Sequence, residues 1–168
     1  MQMDYPLTEE QRQIWQMEKA YPHTGIANVG GILRLDGKTD PQMLKKAIAV
    51  YVQTQSALWI KINKRDRQYF ERIFDYEPQV LDLREKSTDE TEAVIRDWIC
   101  MPFALYDSHL FEFAILRTKE SAEVFGRFHH LITDSYALSL FAKEVEQIYE
   151  KLESGAHFRK QICSFRIR

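Results

Sequence analysis

Apolar positions along the chain follow two rhythms, and where the rhythm changes the chain turns. Thr8 opens TEEQ, a capping-box pattern with Gln11 three residues on, which predicts a helix from about Thr8 to Ala20. Pro22 and Gly25 in YPHTGIANVGG break it. In GILRLDG, Ile32 and Leu33 stand among polar neighbours before an Asp36-Gly37 turn, which reads as a strand. Asp40 and Pro41 are a cap and a first-turn proline, and Leu44, Ala47, Ile48 and Tyr51 share one face of the helix that follows. ALWIKIN and QYFERIF read as a strand pair joined by the charged KRDR, and residues 80–83 as a short strand. STDETEAVIRDWICMPF starts on a Ser/Thr cap, carries Val94, Ile95, Trp98 and Ile99, and is a helix stopped by Pro102. HLFEFAIL and VFGRFHH are two further strands, separated by the polar turn TKESAE. From Tyr136 the apolar positions Leu138, Phe141, Val145, Ile148 and Leu152 are spaced three, four, three, four, an amphipathic helix ending near Ser154-Gly155. Hairpin-like strand pairs mix with helices, so the fold class is α+β, a mixed-sheet α/β sandwich.

Composition narrows the class. The chain has 168 residues, 45% hydrophobic and 29% charged, which suits one domain or one lobe with a real core. A net charge of −2, with basic residues scattered except in the last dozen, gives no reason to expect nucleic acid or an anionic membrane as partner. No apolar run approaches the roughly 20 residues that span a bilayer. MQMDYPLTEEQ lacks the apolar stretch of a secretory signal. Cys100 and Cys163 are unclustered, which suits reduced thiols in a cytoplasmic protein. With no Cys-x-x-Cys or His-x-x-x-His spacing, a zinc site is not expected. The unit reads as residues 1–155, and AHFRKQICSFRIR (156–168) as a basic tail or the truncated start of another element.

The candidate chemistry sits in FHHLITDSYALSLF, residues 128–141. Neighbouring strand residues point to opposite faces, so one of His129 and His130 can face a cleft while the other packs into the body. The short loop LITD brings Asp134 back toward the strand end, where it can receive a hydrogen bond, pair with an arginine, or cap the last helix. A neutral imidazole there has the pKa range to take a proton from a nucleophile. A metal pair is the weaker functional alternative, because the two rings diverge. A histidine on an apolar strand is more often structural than catalytic, and spacing alone does not decide the matter.

Three blocks together do more. HHLITDS resembles the His-His-x-x-x-Asp-Gly motif of condensation domains from nonribosomal peptide synthetases, relatives of chloramphenicol acetyltransferase. YPLTEEQRQIWQMEKAYPHTGIANVGGILRLDG is similar to the opening of such a domain, and MPFALYDSHLF to its Pro-Phe segment. The blocks fall in the family's order and cover about residues 4 to 155, so the resemblance implies a chloramphenicol acetyltransferase-like lobe. The opening looks most like the starter subclass, which acylates the first amino acid of a lipopeptide, an antibiotic-type product. The resemblance implies a fatty acyl-CoA donor, a phosphopantetheine-tethered aminoacyl carrier protein as acceptor partner, and no tightly bound cofactor. It places the base or positioning group on His130, the supports of the loop on His129 and Asp134, and the motif glycine on Ser135. Serine keeps the backbone N–H that can hold an oxyanion, but costs energy if the site needs positive φ.

Other positions depart from the family. An Arg-His-x-x-Leu-Arg block is replaced by TQSALW, ending at Trp59, which is expected to leave Asp134 without an arginine partner. Glu112 stands where relatives often carry arginine. With Ser135, these changes point to reduced or lost activity. A full condensation domain has two lobes with the site between them, so the expectation is an N-terminal lobe with an open site, inactive alone. Two other readings compete: a non-catalytic folding unit that dimerises through the surface a second lobe would cover, and a small trimeric acetyltransferase.

Overall fold

The computed structural model describes residues 3–35, 38–119 and 121–155; the predicted Asp36-Gly37 turn and the basic segment 156–168 lie outside them. Among the described residues four α-helices form where caps announce them: α1 (Glu9–Ala20), α2 (Pro41–Thr54), α3 (Thr88–Cys100) and α4 (Ser135–Glu153). Thr8 and Ser87 each close a reciprocal capping box, with Gln11 and Glu90. Asp40 caps α2 by accepting the Gln42 N–H, and Asp134 caps α4 by accepting that of Ala137. These bonds satisfy amides that have no partner inside the helix.

Seven strands among the described residues make two sheets: β1 (Asp4–Pro6), β2 (Asn28–Leu33), β3 (Ile60–Ile62), β4 (Arg67–Phe70), β5 (Gln79–Asp82), β6 (Phe111–Arg117) and β7 (Ala122–His129). The larger sheet runs β2-β7-β6-β5, antiparallel except for the parallel β5–β6 pair; the smaller runs β1-β4-β3, all antiparallel. The expected mixed α+β fold is therefore the one observed.

Differences from the sequence prediction have local causes. Ser56–Trp59 forms a 3-10 turn rather than strand, because the Trp59 indole donates to the Val52 carbonyl at 2.9 Å and folds the chain back on α2. Asn63 Oδ1 accepts the N–H groups of Arg65 and Arg67, and Asp66 sits at φ 55, so KRDR is a tight turn between short strands. The three-residue β1 escaped notice because it is too short for a period. It is an edge strand, where Pro6 is tolerated.

Both faces of the large sheet are covered. Phe111, Phe113 and Ile115 of β6 pack with Leu44, Ile48 and Val52 of α2 and Phe141 and Val145 of α4. On the opposite face, Ala114, Leu116 and Phe125 lie under α3, with Trp98 stacked on Phe125 at 4.5 Å. Strands buried on both sides lose the clean alternation of a half-exposed sheet, which is why β7 reads as a nearly continuous apolar run. Phe113 is fully buried and makes ring contacts with Tyr51, Tyr76, Phe111, Phe128 and Phe141. Its cross-strand partner is Gly126, where a Cβ would lie 3.0 Å from the Phe113 ring. Phe113→Ala is expected to cost about 3–5 kcal/mol in urea denaturation, since this ring cluster has no small residue free to fill the space. A loss below about 1 kcal/mol would contradict the packing described.

Candidate active site

The site forms where β7 ends. The His129 amide donates to Leu110 O and the His130 amide to Ala27 O, both at 2.8 Å, which closes the last rungs against β6 and β2. At this point the two side chains part, as the strand pleat requires. His129 turns into the body, with its side chain 1% exposed; His130 lies half-buried on the departing loop.

Each ring has one nitrogen fixed by backbone. His129 Nδ1 accepts the Leu131 N–H at 3.1 Å, so the ring proton resides on Nε2. That Nε2 faces Glu18 Oε2 of α1 at 3.4 Å, the carboxylate side chain being 4% exposed. Burial is the main force driving His129 down to a pKa of about 4, and the neighbouring His130 adds to it. Burial raises the Glu18 carboxyl above its ordinary value, with the His23 ring opposing. His130 Nδ1 lies 3.2 Å from the Thr133 carbonyl. A carbonyl only accepts, so Nδ1 carries the proton and Nε2 keeps a lone pair.

The loop between the histidines and α4 is held at several points. Gln11 is central: its Oε1 completes the Thr8 box, while its Nε2 donates to Leu131 O at 3.0 Å and Gln68 Oε1 at 3.1 Å. Gln68 in turn donates to Pro6 O, tying the loop to the small sheet. The Ile132 amide returns to His129 O at 3.0 Å. On the other side, Gly25 at φ +65 shapes the turn that delivers Ala27 O; a Cβ there would lie 2.3 Å from Cys100 O.

Of the roles open to Asp134, the structure shows the helix cap: Oδ1 accepts Ala137 N–H at 2.7 Å, and among the described residues it makes no ion pair. Ser135 is the first residue of α4 and is not one of the non-glycine residues with positive φ, so the expected backbone strain is absent. Its N–H lies in the first turn, among the amides that lack an intrahelical acceptor. Trp59 is a core residue with its indole satisfied and the Arg72 guanidinium over its ring at 5.2 Å. Glu112 is held by Arg127 through contacts of 2.9 and 2.7 Å and by the Trp98 indole at 3.1 Å. Arg127 also binds the Trp98 and Met101 carbonyls and covers the Phe103 ring, whose edge meets His129.

Sequence reasoning missed the loop-holding role of Gln11 and missed Glu18 altogether. A signal for Glu18 was present, since it lies three residues after the buried Trp15, on the inward face of α1. Among the described residues no group of three or more His, Cys, Asp or Glu is placed to hold a metal ion, and no helix is long and apolar enough to cross a membrane.

The fold is a lobe of mixed sheet and helices with a histidine pair at a strand end, and comparison with known proteins gives the family. The model of the condensation domain matches residues 1–166, and the chain belongs to that family. It is 31% identical to surfactin synthase subunit 1 of Bacillus subtilis (strain 168), over 94% of this chain and 5% of that protein. It is 28% identical to one of the plipastatin synthase proteins of the same organism, over 89% of this chain and 6% of that protein. Among solved structures, the starter condensation domain of the rhizomide synthetase RzmA superposes with a TM-score of 0.82 at 22% identity, covering 94% of this chain and 40% of that one. The condensation enzyme VibH gives 0.76 at 23%, covering 90% and 36%. The chain thus spans a small fraction of the curated relatives and under half of the solved domains.

The buried His129 makes stability pH-dependent. Its folded pKa is depressed, so the unfolded chain binds a proton that the folded chain refuses. This contribution to stability is fully present above the ordinary histidine value of 6.5 and is lost as pH falls toward about 4. Alone it amounts to roughly 3 kcal/mol at most. The raised Glu18 carboxyl works in the opposite sense, favouring the fold as pH falls toward its ordinary value of 4.5. Between about pH 7 and pH 4.5, the wild type is expected to lose more stability in urea denaturation than His129→Gln. Equal losses would contradict a neutral buried His129.

Proposed function

We propose that residues 1–155 are the N-terminal lobe of a nonribosomal peptide synthetase condensation domain, whose complete form joins an acyl group to a carrier-bound aminoacyl thioester through an amide bond. The observation that carries this reading is the His130 ring: Nδ1 is committed to the Thr133 carbonyl, and Nε2 keeps a lone pair on a half-exposed edge next to the start of α4. In the reaction the acceptor amine attacks the donor thioester carbonyl, the C–N bond forms and the C–S bond breaks. The amine proton passes by way of His130 Nε2 to the leaving thiolate. Amides in the first turn of α4, that of Ser135 included, are the donors open to the oxyanion. His129 and Asp134 set the loop and the helix start. Much of the rate comes from holding two tethered substrates together.

The finer reading is a starter domain taking a fatty acyl-CoA and a phosphopantetheine-borne aminoacyl acceptor, with no cofactor of its own. Support comes from an open apolar groove of about 180 Å³ between β2 and α4, lined by Gly30, Gly31, Phe128, Leu138, Phe141 and Ala142. A Cβ on Gly31 would meet no atom within 4 Å, so this wall of the groove is open. A variant of the RzmA starter domain has been solved in complex with C8-CoA, which is the donor class proposed here. In this reading the site lies between two lobes, so the single lobe is expected not to turn over. Tyr136 and Leu140 on α4 are 75% and 39% exposed, which favours self-association of the isolated lobe as the second reading.

The test supplies fatty acyl-CoA and an aminoacyl carrier protein to the enzyme containing both lobes. His130→Ala is expected to lower N-acyl-aminoacyl product by roughly 100-fold or more. Undiminished product would remove His130 from the chemistry.

A further inference from the structure

We propose that Glu18 is a positioning residue for His130, acting through His129; the inference rests on the reading of His130 as the reacting group. Glu18 is 4% exposed, yet its buried Oε2 makes no hydrogen bond to any described residue and faces His129 Nε2 at 3.4 Å. His129 Nε2 is in the same position, buried and without a hydrogen bond to any of those residues. A carboxyl buried this way is costly unless something inside the protein uses it as an acceptor. The proton inventory names the donor that faces it. His129 Nδ1 is occupied as an acceptor by the Leu131 N–H, so the ring's single proton is on Nε2, the nitrogen that stands 3.4 Å from Glu18 Oε2.

The alternative tautomer is penalised twice. With the proton on Nδ1, two N–H donors would confront each other at Leu131, and the Nε2 lone pair would face the Glu18 oxygen. Protonating both nitrogens recovers the Glu18 contact but still loses the Leu131 bond. Glu18 therefore selects the one ring state that holds the Leu131 amide. Gln11 holds the carbonyl of that same residue at 3.0 Å. Leu131 directly follows His130, so a residue gripped through both its N–H and its C=O fixes the backbone from which the His130 ring projects.

The experiment is nitrogen-detected NMR of the histidine rings, with amide exchange, on the 168-residue chain. In the wild type, His129 is expected as the single neutral Nε2–H tautomer and the Leu131 amide as protected; an Nδ1–H tautomer there overturns the proposal without recourse to any variant. Glu18→Met is expected to give a mixture of His129 tautomers, to speed Leu131 exchange roughly tenfold, and to shift the His130 ring signals. Glu18→Gln, which keeps a carbonyl acceptor, is expected to restore the wild-type pattern. If Glu18→Met leaves tautomer, exchange and His130 signals unchanged, or if Glu18→Gln behaves like Glu18→Met, the positioning role is lost. None of these readouts depends on acyl transfer, so they stand or fall apart from the functional reading.

Discussion

The site depends on what happens to a strand that has no free side. β7 is hydrogen-bonded to β2 and β6 along its length and is covered by helices on both faces, so its last residue cannot reach water. A polar residue at that end must find its partners inside the protein. His129 does so by accepting the Leu131 N–H, which requires a neutral ring, and burial enforces neutrality. The next residue leaves the sheet with its amide still bound to Ala27 O. One ring is thereby made structural and its neighbour is left on an edge, half-open, at a turn whose backbone has little freedom.

Much of this was legible in the sequence, for reasons that can be named. Helix starts are local chemistry: Thr8 with Gln11, Asp40 with Pro41, and Ser87 with Glu90 satisfy amides within a few residues, and each appears where the pattern put it. The divergence of His129 and His130 follows from the pleat alone. Less legible were features that require distant chain to meet. Nothing local says that Gln11 reaches Leu131, 120 positions away, or that Asp4 to Pro6 pairs with β4. The 3-10 turn at Ser56–Trp59 was hidden because its cause, the Trp59 indole on the Val52 carbonyl, is a tertiary choice made by a residue of high strand propensity.

The departures from the family pattern look different once placed. Trp59 fills core volume rather than leaving an arginine's position vacant. Glu112 has Arg127 directly opposite on β7. Ser135 begins α4 without positive φ, and Asp134 has its cap bond without an arginine. None of the four leaves a buried charge unpaired or a backbone strained, so the physical grounds for expecting an impaired site are weaker in the folded chain than in the bare sequence.

The central claim is that the Thr133 carbonyl commits the His130 proton to Nδ1 and leaves Nε2 able to take a proton. The direct measurement is the tautomer of the neutral His130 ring, read from its two nitrogen resonances at a pH where the ring is uncharged. The account predicts a proton on Nδ1 and a lone-pair signal from Nε2. A proton on Nε2 would contradict it, because the accessible nitrogen would then be a donor and not a base.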